Sequence, residues 1–185
     1  FNSVQDVETS MVTLHKKFRD RQEHWYVDKL LIGDAHSDNA YAGTTGAEVV
    51  PYETNSIEGS NSVLKRDWDR FLGDIAVANR IIVGCDQLKA LSANKLICNI
   101  DLVTDNSLTT AERAQYKAEA MIFRAMVMFD MVRLWGNFPV ITTVGGDITE
   151  DNVEEMYPTY FPPQNTAEEA YAQIEKDLTE AVENP

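Results

Sequence analysis

Three sets of side chains in this sequence have the types and spacing to do chemistry. Asp34, His36 and Asp38 alternate. On an extended backbone all three point one way, and a mixed oxygen–nitrogen set of that kind can hold a divalent cation. The Gly, Ser and Asn around them are also what turns are made of, and we adopt the turn reading, with no metal assigned. The second set is Asn39, Tyr41, Tyr52 and Asn55. An aromatic ring can stack on the apolar C–H face of a sugar while amide side chains meet its hydroxyls. These four residues are therefore the candidate ligand-binding set, although the same tyrosines can equally pack their loop onto neighbouring helices. The third is Arg124. Its neighbours three and four places away are Ala120, Met121, Val127 and Met128, all apolar. A guanidinium in that setting needs a carboxylate or carbonyls from another element. Asp74 and Asp177 are the candidates, and we expect a buried structural pair.

Patterns for other chemistries do not occur. We find no nucleophile motif, phosphate-binding loop, paired histidine ligands on a helix or cysteine spacing for a metal. His15 and His24 fall among charged residues and read as exposed. Carboxylates are abundant, but nothing separates a general-acid pair from a solvated surface. We assign no catalytic residue and no cofactor.

Composition narrows the partners. The formal net charge is −14, which argues against nucleic acid and anionic membrane surfaces. From Asp147 to Pro185 there are 11 acidic residues and one basic, Lys176, which reads as a solvated acidic face. With 185 residues the chain can form one well-cored domain. Cys85 and Cys98 are too few for a disulfide framework; they either pair or serve as small buried hydrophobes. No initiator Met, signal peptide or hydrophobic anchor is present, and both Phe1 and Pro185 read as cut ends.

The elements that must position these groups are helices. Val7, Met11, Leu14 and Phe18 give one face of a helix over 6–18. A short helix or extended piece spans 24–31 and ends at Gly33. Residues 33–61 form a long loop, with short β pieces near Val49 and Val50. Leu64, Trp68, Phe71, Ile75, Ala78 and Ile82 line a helix over 62–83, which Gly84 ends or bends. The stretch 96–106 has no clear period. Thr109 and Glu112 are spaced as a capping box, and so are Thr166 and Glu169. Behind the first box, Ala111, Ala114, Ala118, Ile122, Ala125, Phe129 and Val132 form a seam. Between Ala120 and Trp135 only Arg124, Asp130 and Arg133 are polar, so neighbours must cover that helix on several sides. Gly136 closes it in a left-handed conformation and Pro139 cannot continue it. A second loop over 142–165 follows. Behind the second box, Ala167, Ala170, Tyr171, Ile174, Leu178 and Ala181 face inward.

Several of these segments resemble the SusD/RagB family. Its signature reads E-A-x-F-L-R-A, an aromatic-rich turn of helix, then G-D-x-P-L. Here it is matched by Glu119-Ala120, Phe123-Arg124-Ala125, Phe129, Leu134-Trp135-Gly136 and Phe138-Pro139. Phe123 replaces the usual Leu and Asn137 the usual Asp. Trp68, Ile75, Ala78-Asn79 and Ile81 match a W…I-x-x-A-N-x-I stretch, and Ser37-Asp38-Asn39 an S-D-D stretch. Glu169-Ala170-Tyr171, Ile174, Asp177-Leu178 and Ala181 match E-V-Y-x-x-I-x-x-D-L-x-x-A. The resemblance implies an all-α fold of antiparallel helix pairs similar to tetratricopeptide repeats, with residues 1–185 as one helical domain from the N-terminal portion of the family. It implies a surface-exposed outer-membrane lipoprotein of polysaccharide utilisation. Such a protein binds a glycan without catalysis and passes it to a SusC-like TonB-dependent transporter. Membrane attachment would come only through an N-terminal lipid anchor absent from this chain. Arg124, Gly136, Pro139 and Asp177 are then structural, and the glycan contacts come from the loop holding Tyr41 and Tyr52. A helical-repeat adaptor without sugar binding, and an all-α glycoside hydrolase, are the alternatives.

Overall fold

The structure, a computed structural model, describes residues 4–93, 109–145 and 148–183. It is all-α. The helices are α1 (Val4–Asp20), α2 (Val50–Glu53), α3 (Ser62–Ala93), α4 (Thr110–Trp135), α5 (Val153–Met156) and α6 (Ala167–Glu183). Two π-helical turns, His24–Asp28 and Leu31–Ala35, follow α1, and a 3-10 turn, Tyr157–Tyr160, follows α5. Backbone contacts gather the chain into two compact units, one of residues 1–14 and 73–185, the other of 15–72. No helix among the described residues is long and apolar enough to cross a membrane.

In the larger unit α4 is the central element. Thr109 caps it through the expected box: its hydroxyl accepts from the Glu112 N–H at 3.2 Å, and the Glu112 carboxylate accepts from the Thr109 N–H at 2.7 Å. At the other end Gly136 has φ +70°, and its N–H reaches the Val132 carbonyl at 3.0 Å. Between these caps Ala118, Ala120, Met121, Phe123, Ala125, Val127, Met128, Met131 and Val132 are buried. They cover most of the circumference, as the shortage of polar residues predicts. Ile122 and Phe129, expected in the seam, lie instead on the outer stripe.

Helix α6 packs against α4 in the antiparallel sense, since Arg124 meets Asp177 while Phe129, further along α4, meets Tyr171, earlier in α6. Its buried residues are Ala170, Ile174, Asp177 and Ala181, spaced four, three and four. Asp177 thus occupies a core position. Tyr171 and Leu178, expected inward, are exposed neighbours of that stripe. Removing Ile75, Ile81 and Phe138 from water stabilises this unit by about 1.5–3 kcal/mol each.

The smaller unit departs further from expectation. The segment after α1 takes the helical one of its two expected forms, but Gly33 does not end it; it runs as two π-helical turns to Ala35. Val49 and Val50 form no β piece. Val50 opens α2, because Pro51 in its first turn presets a helical φ and its missing N–H is one the helix would leave unused anyway. Phe18, expected inward, is half-exposed and tilts against Trp25. In the larger unit, Gly84 does not end α3, which continues to Ala93. Cys85 is buried, while Cys98 and the stretch 96–106 lie outside the described residues.

Candidate functional site

The two long loops are fixed at their bases by different chemistry. In the smaller unit, Asn61 caps α3. Its amide oxygen accepts from the N–H groups of Val63 and Leu64 at 3.0 and 3.4 Å, and its amide nitrogen donates to the Glu48 carbonyl at 2.9 Å. The Tyr52 hydroxyl donates to the same amide oxygen at 3.1 Å. Tyr52 is 0% exposed, and burial, followed by the nearby Asp28 and Asp67 charges, pushes its hydroxyl up to about 12. Its ring packs the loop and offers no face to a ligand. Tyr41 stands 79% exposed in the irregular stretch before α2. Asn39 is exposed beside it and donates to the Ser37 hydroxyl at 2.9 Å. Asn55 is exposed on the far side of α2, with φ +53° in the left-handed region that Asn tolerates. Of the four candidate residues, three are presented to solvent and one is core.

Asp34, His36 and Asp38 do not form a shared face. Asp34 lies in the second π-helical turn, where its carbonyl accepts from the N–H groups of Asn39 and Ala40 at 3.0 Å each. Asp38 has φ +61°. Turn chemistry uses this backbone, and the alternation needed for a common direction is lost.

A different set converges beneath. His24, Asp28 and Asp67 are all buried, and one ligand-type atom from each lies within 4.8 Å of the others. His24 was expected to be exposed; it is 0% exposed, edge-on to Phe71 with ring centroids 4.5 Å apart. Its Nδ1 lies 2.6 Å from Asp67 Oδ2 and donates to that carboxylate, which can only accept. The donor types suit a divalent cation. Arg66 competes for the same carboxylates, however: its Nη2 donates to Asp28 Oδ2 at 2.6 Å, and its Nε lies 3.8 Å from Asp67 Oδ1, an oxygen that accepts no hydrogen bond. A guanidinium thus supplies the positive charge that a metal would bring. Glu23 links Arg66 and Arg70 at 3.1 and 2.9 Å, and the hydrogen bond from Arg70 holds its carboxyl below the usual value.

In the larger unit Arg124 is 3% exposed. It grips Asp177 two-pronged, Nε to Oδ2 at 2.7 Å and Nη2 to Oδ1 at 2.6 Å. Gln173 adds a third bond to Asp177 at 2.7 Å. The remaining Arg124 prong, Nη1, donates to Asn79 Oδ1 at 2.6 Å. Guanidinium has no acceptor, so the Asn79 amide must turn its oxygen to it and its nitrogen away. That nitrogen donates to the carbonyls of Ile141 and Thr143 at 2.8 and 3.4 Å. The chain of bonds therefore runs from α6 through α4 and α3 to the first arm of the second loop.

A second clasp closes the same loop. Phe138 and Asn165 form an antiparallel bridge, with the Asn165 N–H on the Phe138 carbonyl at 3.0 Å. The Asn165 side chain accepts from the Val140 N–H at 2.9 Å. Asn79, which the sequence singles out only through the W…I-x-x-A-N-x-I stretch, thus proves central. Its partners Arg124, Ile141 and Thr143 lie far along the chain, so no local pattern announces them.

The family model described as "Starch-binding associating with outer membrane", a SusD-like family, matches residues 27–184. A SusD-like protein of Bacteroides ovatus is 25% identical over 153 residues, which are 83% of this chain and 23% of that protein. The chain therefore spans about a quarter of the length of the curated relative it matches. No solved structure matches. With the Arg124–Asp177 core, the Gly136 helix stop and most of the sequence inside one family model, this chain belongs to the SusD-like family.

Proposed function

We propose that the chain is the glycan-capturing portion of a non-catalytic, surface-exposed outer-membrane protein, which delivers its cargo to a SusC-like TonB-dependent transporter. The observation that supports this most is the family match over residues 27–184, whose description names starch binding and the outer membrane. The residues of the contact are Asn39, Tyr41 and Asn55 on the loop that Asn61 and Tyr52 pin down. Tyr41 offers an open ring face for stacking, and the two amides can meet hydroxyls. Shape, stacking and hydrogen bonds suffice for capture and require no cofactor.

The test is a glycan-panel binding measurement on the full chain, repeated with Tyr41→Ala. Loss of a panel ligand by about tenfold, equal to about 1.4 kcal/mol, is expected with unchanged thermal stability. Binding that survives Tyr41→Ala within about twofold moves the contact off this loop. Turnover of a glycan, lost on changing one Asp or Glu, establishes the hydrolase alternative instead. The adaptor reading draws on the exposed apolar residues Ile122, Phe129, Tyr171, Leu178 and Val182 on α4 and α6. A chain that binds no glycan in the panel favours it.

A further inference from the structure

We propose that the second loop carries a separate saccharide platform, Tyr157 and Phe161, which accepts uncharged sugars and disfavours polyanionic ones. The proposal rests on the glycan-binding reading above and adds a second contact surface and a charge class to it. Tyr157 and Phe161 are 56% and 67% exposed, yet their ring centroids lie 5.0 Å apart with planes inclined at 49°. The rings order each other and still leave faces open. The 3-10 turn Tyr157–Tyr160 fixes their spacing, with the Phe161 N–H on the Pro158 carbonyl at 3.1 Å and the Thr159 hydroxyl on the Met156 carbonyl at 2.7 Å. Pro158, Pro162 and Pro163 remove backbone freedom around it. Tyr160 lies against Gly145 on the first arm, where an added Cβ would sit 3.4 Å from its hydroxyl oxygen. Below, the Asn79 bonds and the Phe138–Asn165 bridge hold the ends. An aromatic pair presented on so fixed a base loses little further freedom on binding.

Charge decides the occupant. The sequence has no Lys or Arg from Leu134 to Glu175, while Glu150, Asp151, Glu154 and Glu155 are exposed on the segment that leads into the rings. The local field is negative and repels uronate or sulfate groups over a Debye length of about 8 Å at physiological salt. Neutral sugars are indifferent to it and retain the stacking. The aromatic faces suit a flat sugar ring, whose apolar C–H face can stack on them.

The experiment measures binding of starch oligosaccharides, polygalacturonate and polylysine to the full chain, to the doubly substituted Tyr157→Ala/Phe161→Ala form and to Tyr157→Phe/Phe161→Tyr. We expect the neutral oligosaccharide to lose about tenfold in affinity with the alanine pair and to keep it with the aromatic swap. We expect polygalacturonate to bind at least tenfold more weakly at low salt, and this gap to narrow as salt rises. Both side chains are exposed, so a melting temperature within a few degrees of the parent confirms that the variants fold. If the parent binds no oligosaccharide, the glycan-binding reading itself fails. If it binds and the alanine pair is within twofold of it, only the platform fails. Polygalacturonate binding as tightly as the neutral sugar overturns the charge selectivity. Polylysine binding that the alanine pair abolishes, with no effect on sugar, overturns the choice of occupant.

Discussion

Each compact unit buries an arginine–carboxylate network, and the two are built to different rules. In the larger unit Arg124 faces one carboxylate and one amide, every prong has a partner, and solvent is excluded from both ions. In the smaller unit three carboxylates, Glu23, Asp28 and Asp67, share Arg66 and Arg70, and Arg66 is 30% exposed. The first network is closed and directional, and its last bonds run into a loop. The second is rich in acid and relies on His24 and on partial hydration. A closed pair fixes geometry, whereas an acid-rich cluster makes its unit sensitive to protons.

Breaking the closed network gives the largest effect. Arg124→Met leaves Asp177 buried without its cation, and we expect a loss of about 3–5 kcal/mol in chemical denaturation. The double form Arg124→Met/Asp177→Leu recovers most of that loss, because it removes both charges together. A recovery of less than half shows that the bonds onward through Asn79 matter more than the ion pair.

The open network sharpens the contrast through pH. Burial, and then the neighbouring Asp67, holds the Asp28 carboxyl above its ordinary 3.8. The native state therefore keeps this proton more tightly than the unfolded chain. That contribution is complete below pH 3.8 and is lost as pH rises through the raised native value. Arg66→Met is expected to cost about 1–3 kcal/mol at neutral pH, and less on acidification as Asp28 takes up its proton. Asp28→Asn should flatten the stability profile across the same window, read from denaturation midpoints at stepped pH. A profile unchanged by Asp28→Asn removes the distinction drawn between the networks.

The smallest effect comes from the two capping boxes, Thr109 with Glu112 and Thr166 with Glu169, both in the larger unit. Thr109→Ala and Thr166→Ala should each cost about 1 kcal/mol. Hydrogen bonds from Thr109 hold the Glu112 carboxyl below 4.5, and the bond from the Thr166 backbone does the same for Glu169. Their contribution is present above pH 4.5 and falls away as pH drops through the lowered native values. Acid therefore acts with opposite sign on the caps and on Asp28, and the two can be separated by titrating the corresponding variants.

Much of α4 and α6 was legible because caps are local. Thr109 and Glu112 need only each other, and Gly136 followed by Pro139 is a stop written within four residues. The buried partner of Arg124 was legible as Asp74 or Asp177, but burial of Asp67 was harder to read. Each sits at core spacing among apolar neighbours, with Val63, Asp67, Asp74 and Ala78 sharing one face of α3. A charge at a core position needs a partner, and for Asp67 that partner is His24, 43 residues away. The charged run from Lys16 to Glu23 made His24 look solvated. Tyr41 and Tyr52 were indistinguishable by type. What separates them is Pro51, which starts a helix and turns Tyr52 inward, and Asn61, which receives its hydroxyl.

The pairing of Phe138 with Asn165 brings the two ends of a long excursion side by side. Once the ends are so joined, doubling the length of the intervening chain adds only about 0.6 kcal/mol of closure entropy. The segment beyond the clasp can therefore change in length at little cost while the helices that flank it keep their register.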